Sequence, residues 1–304
     1  MGLTEKTRSR LEEVDLVVFD IDGVLIDTSE SFPRAIVRAV ERFGEECNLP
    51  GWERPSTEES AQFKEIPGFN NDWNLAEGLL LYKIYTTVEP DPQSLSEFLE
   101  AVAGKGGGLH EIRNWVNGLS GEIRGAIFSL FDSPKIRQLA MEYYAGEKYC
   151  QRLYGFSPEY DIQAGAIENE SVMVDVELLG QVSHLLGIFT GRNPTETEIA
   201  LEQIGFNGFP EENIKVDDGE TPTKPNPEPL IQMAKNAEAS GVLFIGDTRD
   251  DWETIRNFNQ AETTIPGVFI QVTSKTEPFT ENINFVGSVN DLLRYLIELK
   301  DIGG

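Results

Sequence analysis

The chain has 304 residues, 39% hydrophobic and 10% aromatic, enough apolar material for a folded core and too much for a disordered chain. At this length two domains are expected. Its 25 basic residues stand against 52 acidic ones, a formal net charge of −27, and such a surface argues against nucleic acid or membrane as a partner.

Cys47 and Cys150 are too few for a disulfide framework and fit no metal motif by spacing. His110 and His184 stand alone, which argues against a histidine-rich metal site or a histidine-based triad. The opening residues lack the apolar stretch of a signal peptide, and no run approaches the roughly 20 apolar residues of a membrane span, so a cytoplasmic location is expected.

In chain order, the first strong element is the run Leu16-Val-Val-Phe19. It is apolar and β-branched on both faces, which predicts a fully buried central strand. It leads into Asp20-Ile-Asp22-Gly23. From 29 to 160 the pattern is mainly helical: Phe32, Ile36, Val37, Val40 and Phe43 recur at helical spacing, as do Leu75, Leu79, Leu80 and Tyr82. A helix over 95–102 ends at the glycine-rich turn of 104–108. No strand precedes those glycines and their spacing is not that of a nucleotide-binding loop, so they read as a linker.

Beyond 161 strand and helix signals alternate. Strands are predicted at 185–190, 213–216, 242–245 and 268–272, and helices at 194–204, 227–239, 250–258 and 289–299. Asn193-Pro194-Thr-Glu196 carries a cap residue, a proline at the first helical position and an acidic residue at the third; Asn226-Pro227-Glu228 repeats the device. The alternation implies an α/β fold, a Rossmann-like parallel sheet with helices on both faces. The strand at 16–19 has no other partner and must join that sheet. The core therefore spans 1–28 and 161–304, and 29–160 is a helical insertion.

Chemistry-bearing residues fall where strands end. Asp20 and Asp22 at the end of a buried strand carry a desolvation cost that a divalent cation would relieve, and Gly23 permits a sharp turn; a turn-capping pair is the plain alternative. Thr190-Gly191 before a helix start forms a small phosphate-binding nest or an ordinary strand-to-helix turn. Lys224, in a proline-restricted loop, is a cation for phosphate and carboxylates or a solvated surface lysine. Asp247, after the buried run 242–245, would complete an oxygen-rich site suited to magnesium. Asp250 and Asp251 either join it or favour the start of the next helix.

The order Asp20-Ile-Asp22-Gly-Val, Thr190-Gly-Arg192, Lys224-Pro and Gly246-Asp247-Thr-Arg-Asp-Asp251 resembles the four motifs of the haloacid dehalogenase superfamily, with an insertion in the place of its type-one cap. That resemblance implies a phosphatase acting on a small phosphorylated metabolite. Asp20 would be the nucleophile and Asp22 the general acid and base. Thr190, Gly191, Arg192 and Lys224 would hold the phosphoryl group. Mg2+ would sit on the Asp20 carboxylate, the Asp22 backbone carbonyl and Asp247, with Asp251 in support. An acidic residue at 22 argues against dehalogenase and phosphonatase chemistry.

A phosphosugar mutase of the same family, or a non-catalytic binding protein keeping the fold, are the alternatives. The 168 positions from Asp22 to Thr190 are long for such a cap. Within it, Gly68-Phe-Asn-Asn-Asp-Trp73 resembles a segment of a subset of capped members. There Asn70, Asn71, Trp73 and Lys64 are candidate contacts to a leaving group; the alternative makes Asp72 a helix cap and the aromatics core.

Overall fold

The computed structural model describes residues 3–69, 71–275, 277–280 and 283–303, so Asn70 lies outside the described residues. The chain forms two compact units, Met1–Thr28 with Ser171–Gly304, and Ser29–Glu170.

The first unit opens with helix α1 (Glu5–Leu11), strand β1 (Leu16–Phe19) and the two-residue β2 (Ile26–Asp27). The chain then enters the second unit, which is all helical: α2 (Phe32–Cys47), α3 (Thr57–Lys64), α4 (Asp72–Val88), α5 (Leu95–Ala103), α6 (Gly108–Asn117), α7 (Gly121–Leu130) and α8 (Ser133–Tyr154). It returns through a 3-10 turn (Ala166–Asn169) to β3 (Ser171–Val172), which pairs antiparallel with β2. The remainder alternates: α9 (Val176–Gln181), β4 (Leu185–Phe189), α10 (Pro194–Ile204), β5 (Ile214–Lys215), α11 (Glu228–Asn236), β6 (Val242–Gly246), α12 (Arg249–Ala261), β7 (Gly267–Val272), β8 (Asn284–Val286) and α13 (Val289–Gly303).

Six strands build one sheet in the order β5-β4-β1-β6-β7-β8, every pairing parallel. The period of two in β1 explains its all-apolar sequence. Val17 and Phe19 pack into one apolar cluster with Leu186, Ile188, Leu243 and Ile245, while Leu16 and Val18 pack into another with Leu230, Met233 and Phe258. A strand covered on both faces cannot alternate with polar residues.

The helical unit is organised around α4, whose residues from Leu75 to Tyr85 are all buried. Its one carboxylate in that stretch, Glu77, is fully buried and is answered by Arg113 at 2.7 Å and by Arg137. Helix α8 is broken at Gly146, which sits at φ 60° and ψ −176°. A side chain there would collide with the backbone of Gly165, so the kink brings the returning segment against the helix. That contact moves the boundary of the insertion. Glu142 accepts from the amides of Glu159 and Tyr160, Glu147 donates its amide to Ile162, and Glu170 accepts from Ser31 and Tyr144. Residues 161–170 thus belong with the helices and not with the core, where the sequence pattern puts them.

Helix starts follow the expected chemistry with two differences. Asn193 and Glu196 form a reciprocal capping box at α10, as their spacing predicts. At α11 Pro227 occupies the cap position and the helix begins at Glu228, although Asn226 Oδ1 still accepts from the Glu228 amide at 2.9 Å. At α4 the cap is Asn71, which accepts from Asn74, and not Asp72.

Candidate active site

The sheet register sets the site. Phe19 is level with Ile188 on one side and Ile245 on the other, so Asp20, Thr190 and Asp247 follow the carboxyl ends of three adjacent strands. β1 lies between β4 and β6, the place in an open parallel sheet where connections diverge and a crevice forms.

Asp20 is buried, with 4% of its surface exposed. Its Oδ1 accepts from the Ile21 amide at 2.8 Å and its Oδ2 lies 2.9 Å from Lys224 Nζ. Just beyond, the chain closes a tight loop: the Ile21 carbonyl accepts from Leu25 and Ile26, and Gly23 donates to the Ile26 carbonyl. Gly23 takes φ 69°, and any side chain at that position would strike Asp247 Oδ2. Glycine is required there both for the turn and for the approach of the second carboxylate.

Lys224, placed by the loop between β5 and α11, also meets Asp251 Oδ1 at 2.6 Å. Asp251 is fully buried and its other oxygen accepts from the Thr248 amide and hydroxyl at 3.0 and 2.6 Å, closing the capping box of α12. The absent side chain of Gly246 leaves room for Asp251. Asp251 therefore does both things its sequence position allows: it starts the helix and it belongs to the acidic cluster.

Charges here are unbalanced. Burial pushes the Asp20 carboxyl up to about 7, the Lys224 ammonium acting in the opposite direction. Burial, then Asp251 and Asp20, raise Asp247 well above the ordinary carboxylate range. Burial opposes the charge of Lys224, but Asp20 and Asp251 outweigh it and its pKa lies above the usual lysine value. Carboxylate oxygens of Asp20, Asp247 and Asp251 lie within 4.8 Å of one another, and Asp247 Oδ1 is buried without a hydrogen-bond partner among the described residues. A buried carboxylate oxygen with nothing to accept from, in an all-oxygen cluster, fits a hard divalent cation such as Mg2+. Asp247 suits it best as a direct ligand, because both oxygens of Asp20 and of Asp251 already have partners while its own Oδ1 has none among the described residues.

Thr190 is buried, and its Oγ1 accepts from the Arg192 amide at 3.2 Å. Gly191 faces open space: a side chain added there would meet nothing within 4 Å. Arg192 behaves differently from the other residues expected to hold phosphate. Its guanidinium, nearly fully buried, donates through Nε and Nη2 to Asp22 Oδ1 at 2.9 and 2.7 Å. Sequence reasoning missed this pairing, because 170 positions separate the two residues. The structure thus brings together Asp20, Lys224, Asp247 and Asp251, and separately joins Asp22 to Arg192.

The candidates in the helical unit have other partners. Lys64 Nζ pairs with Asp72 at 2.8 Å, and Asn71 caps α4. Trp73 packs edge-on against Phe32, Tyr144 and Tyr154, as the core reading of the aromatics requires. Neither histidine joins the acidic cluster among the described residues, and both cysteines are free thiols.

The sequence profile of the haloacid dehalogenase-like hydrolases matches residues 14–259. The chain belongs to this family. Among solved structures, the hydrolase resembles phosphatase Tt82 from Thermococcus thioreducens, at 24% identity and a TM-score of 0.65 over 93% of this chain and 99% of that one. A structural-genomics target matches at 16% identity and a TM-score of 0.61, over 94% and 99% of the two chains. A protein from Lactobacillus delbrueckii subsp. bulgaricus, named for phosphoglycolate phosphatase, matches at 14% identity and a TM-score of 0.51, over 93% and 98%. At these identities the likeness is one of fold. No curated protein matches the sequence. Among the described residues, no helix of the hydrolase is long and apolar enough to cross a membrane.

Proposed function

We propose that this haloacid dehalogenase-like hydrolase is a magnesium-dependent phosphatase that cleaves a small organic phosphate monoester through an aspartyl-phosphate on Asp20. The reading is carried by one observation: a buried carboxylate at the end of β1, gripped by Lys224 and flanked by an Asp247 oxygen that has no hydrogen-bond partner among the described residues.

In the first step an Asp20 carboxylate oxygen attacks phosphorus, the bond to the ester oxygen breaks, and Asp22 gives that oxygen a proton. Thr190 and the Gly191 amide hold the phosphoryl oxygens, and Lys224 neutralises part of their charge while keeping Asp20 aimed. In the second step a water attacks phosphorus, Asp22 takes its proton, and Asp20 is regenerated as inorganic phosphate leaves. A bound Mg2+ would supply charge neutralisation and alignment of the phosphoryl group with the attacking carboxylate.

Two measurements test the reading. Wild-type protein should release phosphate from 4-nitrophenyl phosphate with Mg2+ and stop when EDTA is added. Asp20→Asn should lower turnover by at least ~10³-fold, since the nucleophile itself is lost. Full activity in that variant would remove Asp20 from the role given to it.

A further inference from the structure

We propose that Arg192 is a positioning residue that holds Asp22 ready for proton transfer, and not a phosphate ligand; this rests on the phosphatase reading above. Arg192 follows the phosphate nest of Thr190 and Gly191, so its position in the chain points toward the anion. Its side chain goes elsewhere. Two of its nitrogens converge on a single oxygen, Asp22 Oδ1, at 2.9 and 2.7 Å. The guanidinium is 1% exposed and the Asp22 side chain 33% exposed, so one end of the carboxylate is clamped from the protein side while the residue stays open to solvent.

The clamp is itself fixed. The Arg192 amide donates to Thr190 Oγ1 at 3.2 Å, and its carbonyl accepts from the Asp217 amide at 2.9 Å. One short segment after β4 therefore sets both the phosphoryl nest and the acid–base group. Burying a guanidinium is costly even when it is paired, and stability alone is a weak reason to keep such a pair. A carboxylate that must meet the ester oxygen in one step and a water in the next gains from having one oxygen tethered and the other left to react.

A pair of esters separates positioning from phosphate binding. Ethyl phosphate needs a proton on its leaving oxygen, whereas 4-nitrophenolate departs without one. The quantity is kcat/KM, which reports events up to formation of the aspartyl-phosphate. Arg192→Met should lower it by about 100-fold for ethyl phosphate and by less than about 5-fold for 4-nitrophenyl phosphate, as loss of general acid help predicts. Asp22→Asn should show the same contrast, and the double variant should fall no further than about 2-fold below the weaker single one. Arg192→Lys, which keeps the charge but not the fork, should lie between.

Equal losses on both esters, or additive losses in the double variant, would overturn the inference and return Arg192 to phosphate binding or the fold. If Arg192→Met does not fold, the ester contrast in Arg192→Lys decides by the same criterion. Failure of the wild type to hydrolyse either ester would overturn the phosphatase reading itself, and this inference with it.

Discussion

In the strand-end cluster, carboxylates outnumber cations among the described residues, and the imbalance has a measurable sign. Asp20, Asp247 and Asp251 converge, and Lys224 pairs with Asp20 and Asp251. The Asp20 carboxyl rises from 3.8 to about 7 in the folded protein without metal. A raised carboxyl pKa means that the native state binds a proton that the unfolded chain releases. Its contribution to stability is therefore complete below pH 3.8 and is lost as pH climbs to about 7. In EDTA the urea midpoint should fall across that window, with an upper figure on the order of 4 kcal/mol. Asp20→Asn should flatten part of the fall. Saturating Mg2+ should recover stability at the upper end, because an ion that binds only the native state stabilises it by mass action. A midpoint that rises with pH in EDTA would contradict the sign.

The elements differ in how openly the sequence announces them. β1, β4 and β6 are continuous apolar runs buried on both faces apart from the exposed Leu185, and α10 carries its reciprocal cap, so both kinds stand out from the residues alone. The short α1, α9 and β8 do not, because too few residues are present for a period to show. Nor does the break in α8. Gly146 has helical neighbours on both sides, and its positive φ goes with a close approach of the Ala164–Gly165 backbone that no local pattern announces. Gly146→Ala should destabilise the helical unit by roughly 2 kcal/mol or more, combining strain at positive φ with the collision against Gly165. Thermal denaturation followed by far-UV circular dichroism checks it; an unchanged midpoint would mean that the kink is not required.

At the scale of the molecule, each unit has its own apolar interior. Phe63, Leu79, Phe98 and Ile112 lie in the helical one, while Val17, Phe19, Ile188 and Leu243 lie on one face of the sheet. The helical unit is one continuous stretch, Ser29–Glu170, with its ends tied together through Ser31 and Glu170. Expressed alone, residues 29–170 should give a helical spectrum and one cooperative urea transition. A non-cooperative loss of signal would show that this core depends on the rest of the chain.

By itself, the sequence determined the parallel α/β core, the helical character of the insertion and the strand-end positions of Asp20, Thr190 and Asp247. Each of these follows from local periodicity and from what a buried run demands of its neighbours. Tertiary structure alone decided that Asp251 and Asp20 share Lys224, that Gly23 must lack a side chain to admit Asp247, that Lys64 is paired with Asp72, and that Arg192 donates to Asp22. It also decided that 161–170 pack with the helices. The reason is common to all of them. Pairings across tens or hundreds of positions depend on where chain reversals bring side chains together, and no local pattern records that distance.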